Sequence, residues 1–336
     1  MFFFWGVAAI WFLTMIPNIE LPNFVKSPEF IAKDKDFTFI GAVCMIWWCF
    51  AGFEACVAMG EEIRFPKINI PRAMFLAPFV VFCVNALFQW YLIGITPVEK
   101  LASLATAEAP YAEAMKATGI LGFPLALLAA GIAFGGDFST LNASISTTPR
   151  YLFTMARDGA MPKIFAKVSR RYQTPYVAVI TLGVLTVALI ATNSLLYIAE
   201  LSLFADLFYY VLGILAALGL RKNHPELKRS YKAPLIMIGA PISALIYLYM
   251  MTELSNEAFY TGVIWCLLGI AIYWCCSKYY GSGTSFKLDE KESGVDETPS
   301  PEEKRAMDRE YHVWWFIVGA LSIIATLLYL VPYLAR

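Results

Sequence analysis

Charge is scarce in this sequence. Only 15% of its 336 residues are Asp, Glu, Lys or Arg, while 59% are hydrophobic, a balance that water does not keep dispersed as a soluble domain. Histidine is almost missing: His224 sits in a basic loop and His312 at the start of the last apolar stretch. Neither can serve as a buried intramembrane base, which argues against an enzyme working inside the bilayer. Strict period-two alternation is absent, which excludes the strands of a membrane barrel. The seven cysteines (Cys44, Cys49, Cys56, Cys83, Cys266, Cys275 and Cys276) all fall in predicted helices, with no metal-ligand spacing and no extracellular pair. They read as packing residues, not as a disulfide frame or a zinc site. The first apolar stretch lacks the basic start and small-residue cleavage site of a secretory signal and is expected to be a retained helix.

What the sequence has instead is long apolar runs. Charge-free stretches cover residues 1–19, 37–53, 73–98, 117–136, 172–199, 233–252, 258–277 and 311–335. A ninth candidate, residues 196–220, qualifies despite Glu200 and Asp206. Crossing the hydrocarbon takes roughly 20 helical residues, and in lipid each segment must satisfy its own backbone polar groups. The expected fold class is therefore all-α integral membrane, with about nine transmembrane helices and the lipid bilayer as its solvent.

Positive charge alternates between the connecting loops. Residues 64–72, 150–171, 221–232 and 278–309 carry 20 of the 26 lysines and arginines. Lys and Arg are retained on the cytoplasmic side of short loops, so these loops are expected inside, with the amino terminus cytoplasmic and the carboxy terminus outside after nine crossings. Topology accounts for the basic loops better than nucleic-acid or anionic-lipid recognition does. Residues 281–310, rich in Gly, Ser, Pro, Glu and Lys, read as a polar cytoplasmic linker, within which Ser300 can start a short helix. Residues 311–336 read as an additional transmembrane helix.

The most telling residues interrupt the apolar pattern. In the second stretch Phe50, Ala51, Gly52, Phe53 and Glu54 place a glycine beside a charge, the mark of a helix that unwinds at mid-membrane and frees backbone groups for a ligand. A glycine that merely lets helices pack closely is the alternative. Downstream follow Glu61, Glu62, Pro66, Ile70, Pro71 and Arg72, in the string FAGFEACVAMGEEIRFPKINIPRA. This string resembles the sixth helix and following inner loop of the amino acid, polyamine and organocation permease superfamily. A second block, RYLFTMARDGAMP from Arg150 to Pro162, with Thr174 and Pro175 beyond it, is similar to that family's eighth helix and inner loop.

The resemblance covers residues 1–280, which would form a permease-like membrane domain matching family helices five to twelve. It implies part of a transporter fold built from two inverted repeats of five helices, with a discontinuous helix near residues 50–54. The first four family helices have no counterpart here, so the chain is expected to be the carboxy-terminal portion of a permease. The missing helices would be supplied by another chain or another part of the gene. The implied function is secondary transport of an amino acid or small amine by alternating access at the plasma membrane. A non-transporting fragment or accessory subunit is the alternative. An ethanolamine-like amine is one candidate substrate, from the likeness of residues 110–119 and the Arg150 region to such permeases.

By the same resemblance Trp48, Cys49, Phe50, Ala51, Gly52, Phe53 and Glu54 are the expected substrate site. Freed carbonyls would accept from a substrate ammonium, and aromatic rings would add cation–π attraction. Glu54 either titrates with transport or hydrogen-bonds across the break. Asp137, Ser144 and Asp206 are candidate coupling or polar-pathway groups, since a carboxylate within an apolar helix is costly unless hydrated or paired. Glu61 and Glu62 with Arg150 or Arg157 could form an inner gate. Neither cofactor nor resident metal is implied, and the coupling ion, proton or sodium, is left open.

Overall fold

The computed structural model describes residues 10, 13–14, 16–24, 39–60, 62–105, 107, 109–117, 119, 121–226, 229, 231, 233–280 and 298–334. Helices dominate them, as the apolar runs require when no water is present to satisfy a backbone. In chain order they are α1 (Phe39–Trp48), α2 (Ala55–Ala58), α3 (Pro66–Ile95), α4 (Val98–Ala105), α5 (Pro110–Ala117) and α6 (Phe123–Ala130). A wide-turn π segment (Gly131–Asp137) leads into α7 (Phe138–Arg157), followed by α8 (Tyr176–Ile190), α9 (Leu195–Asn223), α10 (Ile236–Met251), α11 (Asn256–Tyr280) and α12 (Pro301–Leu334).

Among the described residues, five continuous helical paths are long and apolar enough to cross a membrane: α3, α6 through α7, α9, α11 and α12. Three shorter apolar helices, α1, α8 and α10, accompany them. The first expected span, residues 1–19, lies largely outside the described residues. Residues 172–199, read as one apolar run, contain the shorter helix α8, a bend, and the first turn of α9. There Ser194 ends the run by accepting a hydrogen bond from the Tyr197 amide at 3.3 Å, an N-cap that starts a new helix. The outward faces are apolar: Ile180, Val184 and Val187 on α8 and Ile264, Trp265 and Leu268 on α11 are exposed, as contact with lipid tails demands.

The chain sorts into two compact units. The first comprises Met1–Phe37, Ala73–Ser144 and Ser300–Arg336. Its core gathers Tyr91, Ile95, Leu104, Ala114, Met115 and Leu128. α12 is tied to α3 by side chains that reach the other helix's backbone: Trp90 Nε1 donates to the Leu328 carbonyl at 3.2 Å and Tyr329 to the Ala86 carbonyl at 3.0 Å. At its start Ser300 and Glu303 form a reciprocal capping box, the Glu303 amide donating to Ser300 Oγ at 3.2 Å and the Ser300 amide to Glu303 Oε2 at 3.0 Å. The short helix expected at Ser300 is thus the first turns of one continuous helix running to Leu334. Residues 281–297 of the expected linker lie outside the described residues.

The second unit comprises Thr38–Arg72 and Ile145–Pro299. α9 is its central element, packed on α10 and α11, with α1 against α9 and α10. Cys44, Leu203, Phe204, Leu207, Met250, Met251 and Leu254 form the core. α11 comes so close to Phe204 that a β-carbon at Gly262 would stand 2.2 Å from its ring. The absence of a side chain is what permits the approach.

Candidate functional site

The second unit contains the interrupted helix. α1 stops at Trp48, residues 49–54 run as turns, and α2 resumes at Ala55. Gly52 has φ +100° with open space where a β-carbon would go. Backbone conformation, not crowding, is what requires glycine there. The break is stitched by short turn bonds: the amides of Cys49, Phe50 and Ala51 donate to the carbonyls of Ile46, Trp47 and Trp48, and the Ala55 amide to Gly52. Among the described residues, the carbonyls of Cys49, Phe50 and Ala51 and the amides of Phe53 and Glu54 make no hydrogen bond. Such groups in a low-dielectric setting are strong ligands for an ammonium and a carboxylate respectively.

Glu54 spans the break. Its Oε2 accepts from the Gly52 amide at 3.1 Å and from the Tyr210 hydroxyl of α9 at 2.7 Å. Tyr210 also stacks on Phe53, with centroids 6.3 Å apart and planes 11° from parallel. Trp47 meets Tyr210 edge-on at 6.0 Å and Tyr247 of α10 at 5.1 Å. The result is an aromatic cluster with a carboxylate at its edge.

The sequence placed Trp48 among the aromatic walls. The structure leaves Trp48 exposed and brings its neighbour Trp47 into the cluster instead. Cys49 is exposed, while Phe50, Ala51, Phe53 and Glu54 are half-buried and Gly52 is open. No sequence motif singles out Tyr210 or Tyr247. The one available hint for Tyr210 was its position four residues after Asp206, on the same face of one helix.

The remaining candidates lie elsewhere. Arg150 of α7 pairs with Glu62 of the loop after α2, both partly exposed. Arg157 turns to its neighbour Asp158 at 3.5 Å. Glu61 lies outside the described residues. In the first unit, an open cavity of about 460 Å³ is lined by Asp137, Phe138, Thr140, Leu141 and Ser144. The π segment that ends at Asp137 widens the helix beside it, and Ser139 Oγ donates to the carbonyls of Gly135 at 2.7 Å and Gly136 at 2.9 Å. Such wide turns accompany functional sites in many helices. Asp206 is half-buried on α9. Among the described residues no group of His, Cys, Asp and Glu is placed to hold a metal ion.

Comparison with known proteins places the chain. Residues 1–274 match the amino acid permease family. The methylthioribose transporter of Bacillus subtilis is 28% identical over 236 residues, 69% of this chain and 49% of that protein. The branched-chain amino acid permease BcaP of Bacillus subtilis is 25% identical, over 70% of this chain and 50% of its own length. The human large neutral amino acids transporter small subunit 2 is 26% identical, over 67% of this chain and 40% of its own. The chain spans about half the length of these curated relatives. With the family match covering most of its residues, the chain is a multi-pass membrane protein of the amino acid permease family, whose named relatives are transporters and not enzymes.

Proposed function

We propose that this chain supplies one wall of the substrate site of an amino-acid or small-amine permease that works by alternating access. The observation that carries the reading is the interrupted helix at residues 49–54, with its unpaired carbonyls and amides and Glu54 beside them. A substrate ammonium donates to the carbonyls of Cys49, Phe50 and Ala51. A carboxylate accepts from the amides of Phe53 and Glu54. Trp47, Phe50, Phe53 and Tyr210 offer ring faces to a cation. Glu54 adds negative charge where the amine docks. Asp137, Ser144 and Asp206 serve the polar pathway of the substrate or of the coupling ion. The Glu62–Arg150 pair acts as an inner latch, with Glu61 and Arg157 as further members of the gate, because an ion pair that breaks on opening biases one conformation.

Two of the relatives named above are an amino acid permease and an amino acid transporter, which favours an amino acid over a simple amine. The loops 64–72, 150–171, 221–232 and 278–309 face the cytoplasm in this reading, with the carboxy terminus outside and the protein in the plasma membrane. The remaining wall of the site comes from helices beyond this chain's match to its relatives. A second reading is a membrane subunit that does not transport by itself, in line with one relative's name as a transporter's small subunit.

Uptake of a radiolabelled panel of amino acids and amines separates the two readings. It is measured in cells expressing this chain alone and in cells where it is fused behind the amino-terminal half of a relative. Uptake by the fusion alone is the expected result. Uptake by neither, with both inserted, favours the non-transporting subunit.

A further inference from the structure

The segment between α7 and α8 presents a cluster of cations that the transport reading does not use. Lys163, Lys167, Arg170 and Arg171 are all exposed there. Residues 163–166 form a 3-10 turn that packs against α8, and Lys163 Nζ sits 4.8 Å from the centroid of the Tyr280 ring at the end of α11. Lys278, two residues before Tyr280 on α11, is exposed at the same end of that helix. The tip is an ordered loop: the Ser169 amide donates to the Thr174 carbonyl and the Gln173 amide to the Ser169 carbonyl, both at 2.9 Å, and Gln173 Nε2 donates to the Arg170 carbonyl at 2.9 Å. No acidic residue occurs between Asp158 and Glu200, nor between Glu257 and Lys278.

Among the described residues none of these five cations pairs with a carboxylate, whereas Arg150 and Arg157 of the preceding helix are taken by Glu62 and Asp158. Three are backed by rings instead: Lys163 by Tyr280, Arg171 by Tyr172 at 5.1 Å and Lys278 by Trp274 at 5.3 Å. A ring holds a cation in place without consuming its N–H donors, which stay available to phosphate oxygens. Ile164, Val168, Tyr172 and Tyr279 are exposed beside them, giving apolar surface at the level of the cations.

We propose that this face is a binding site for an anionic phospholipid, whose phosphate is held by Lys163, Arg170 and Arg171 and whose upper acyl chain lies on Ile164, Val168 and Tyr279. Topology alone requires cations in such a loop. It requires neither ring backing nor a closed loop. The segment joins two apolar helices and so sits at a membrane surface, where a lipid headgroup is the anion within reach. The site rests on the membrane placement of the chain and is independent of its substrate.

The test measures lipid that copurifies with the full chain, drawn from vesicles of phosphatidylcholine mixed with phosphatidylglycerol and read by native mass spectrometry. Wild type is expected to retain phosphatidylglycerol over phosphatidylcholine. Each of Lys163→Gln, Arg170→Gln and Arg171→Gln should lower that preference about fivefold. Lys304→Gln and Arg305→Gln on α12 remove the same charge and should leave it unchanged. Equal retention of both lipids by wild type, equal losses in the α12 variants, or displacement of the lipid by inorganic phosphate would each overturn the proposal. All the substituted side chains are exposed, and circular dichroism confirms that each variant keeps its helices. Because no uptake is read, a chain that fails to transport leaves the outcome decisive.

Discussion

At the scale of single residues, Glu54 and Tyr210 make the break a defined shape. A carboxylate accepting from both the Gly52 amide and a tyrosine hydroxyl couples α9 to the interruption. Tyr210→Phe keeps the stack on Phe53 and removes only the hydroxyl. A hydrogen bond to a charged group contributes on the order of 1.5–3 kcal/mol, so kcat/KM for uptake by the completed permease should fall about tenfold or more, with membrane expression unchanged. Unaltered uptake would remove Tyr210 from the site. Gly262 presents a packing case. Gly262→Ala drives a methyl into the Phe204 ring and should destabilise the second unit by about 1–3 kcal/mol, seen as a lower thermal unfolding midpoint in detergent. Residue identity made the glycine and glutamate of the break legible in the sequence. Trp47, Tyr210 and Tyr247 were not, because only tertiary packing chooses which of Trp47 and Trp48 turns inward and which face of α9 meets the break.

Elements were legible where chemistry marks their ends. The apolar runs located the helices, and the Ser300 start of α12 carries its capping box in plain view. Ser300→Ala should cost about 1 kcal/mol of helix stability, and hydrogen exchange should quicken in the first turn of α12 while its apolar body stays protected. Equal protection would show that the cap is dispensable. Hydropathy alone marked α8 and α9 as two stretches but not where the first ends, because the bend at residues 191–194 contains no charge and Asn193 turns the chain with φ +54°. Nor did it foresee the π segment. Gly131, Gly135 and Gly136 read equally well as small packing residues until the wide turn before Asp137 is seen.

For the whole molecule, two compact units and a match to about half of each named relative frame the account. Composition settled the solvent and the helical class, since few charges and long apolar runs admit little else. It could not name a substrate, because backbone groups at a broken helix recognise any ligand bearing an amine and a carboxylate. The central claim is that the interruption at Gly52 is where that ligand binds, and Gly52→Leu tests it most directly. A leucine at φ +100° is strained by about 1–3 kcal/mol and should reclose or distort the turn without lengthening or shortening any apolar run. The measurement is uptake by the completed permease beside its Gly52→Leu variant at matched membrane insertion. The account predicts normal insertion with uptake abolished; wild-type uptake by the variant would contradict it.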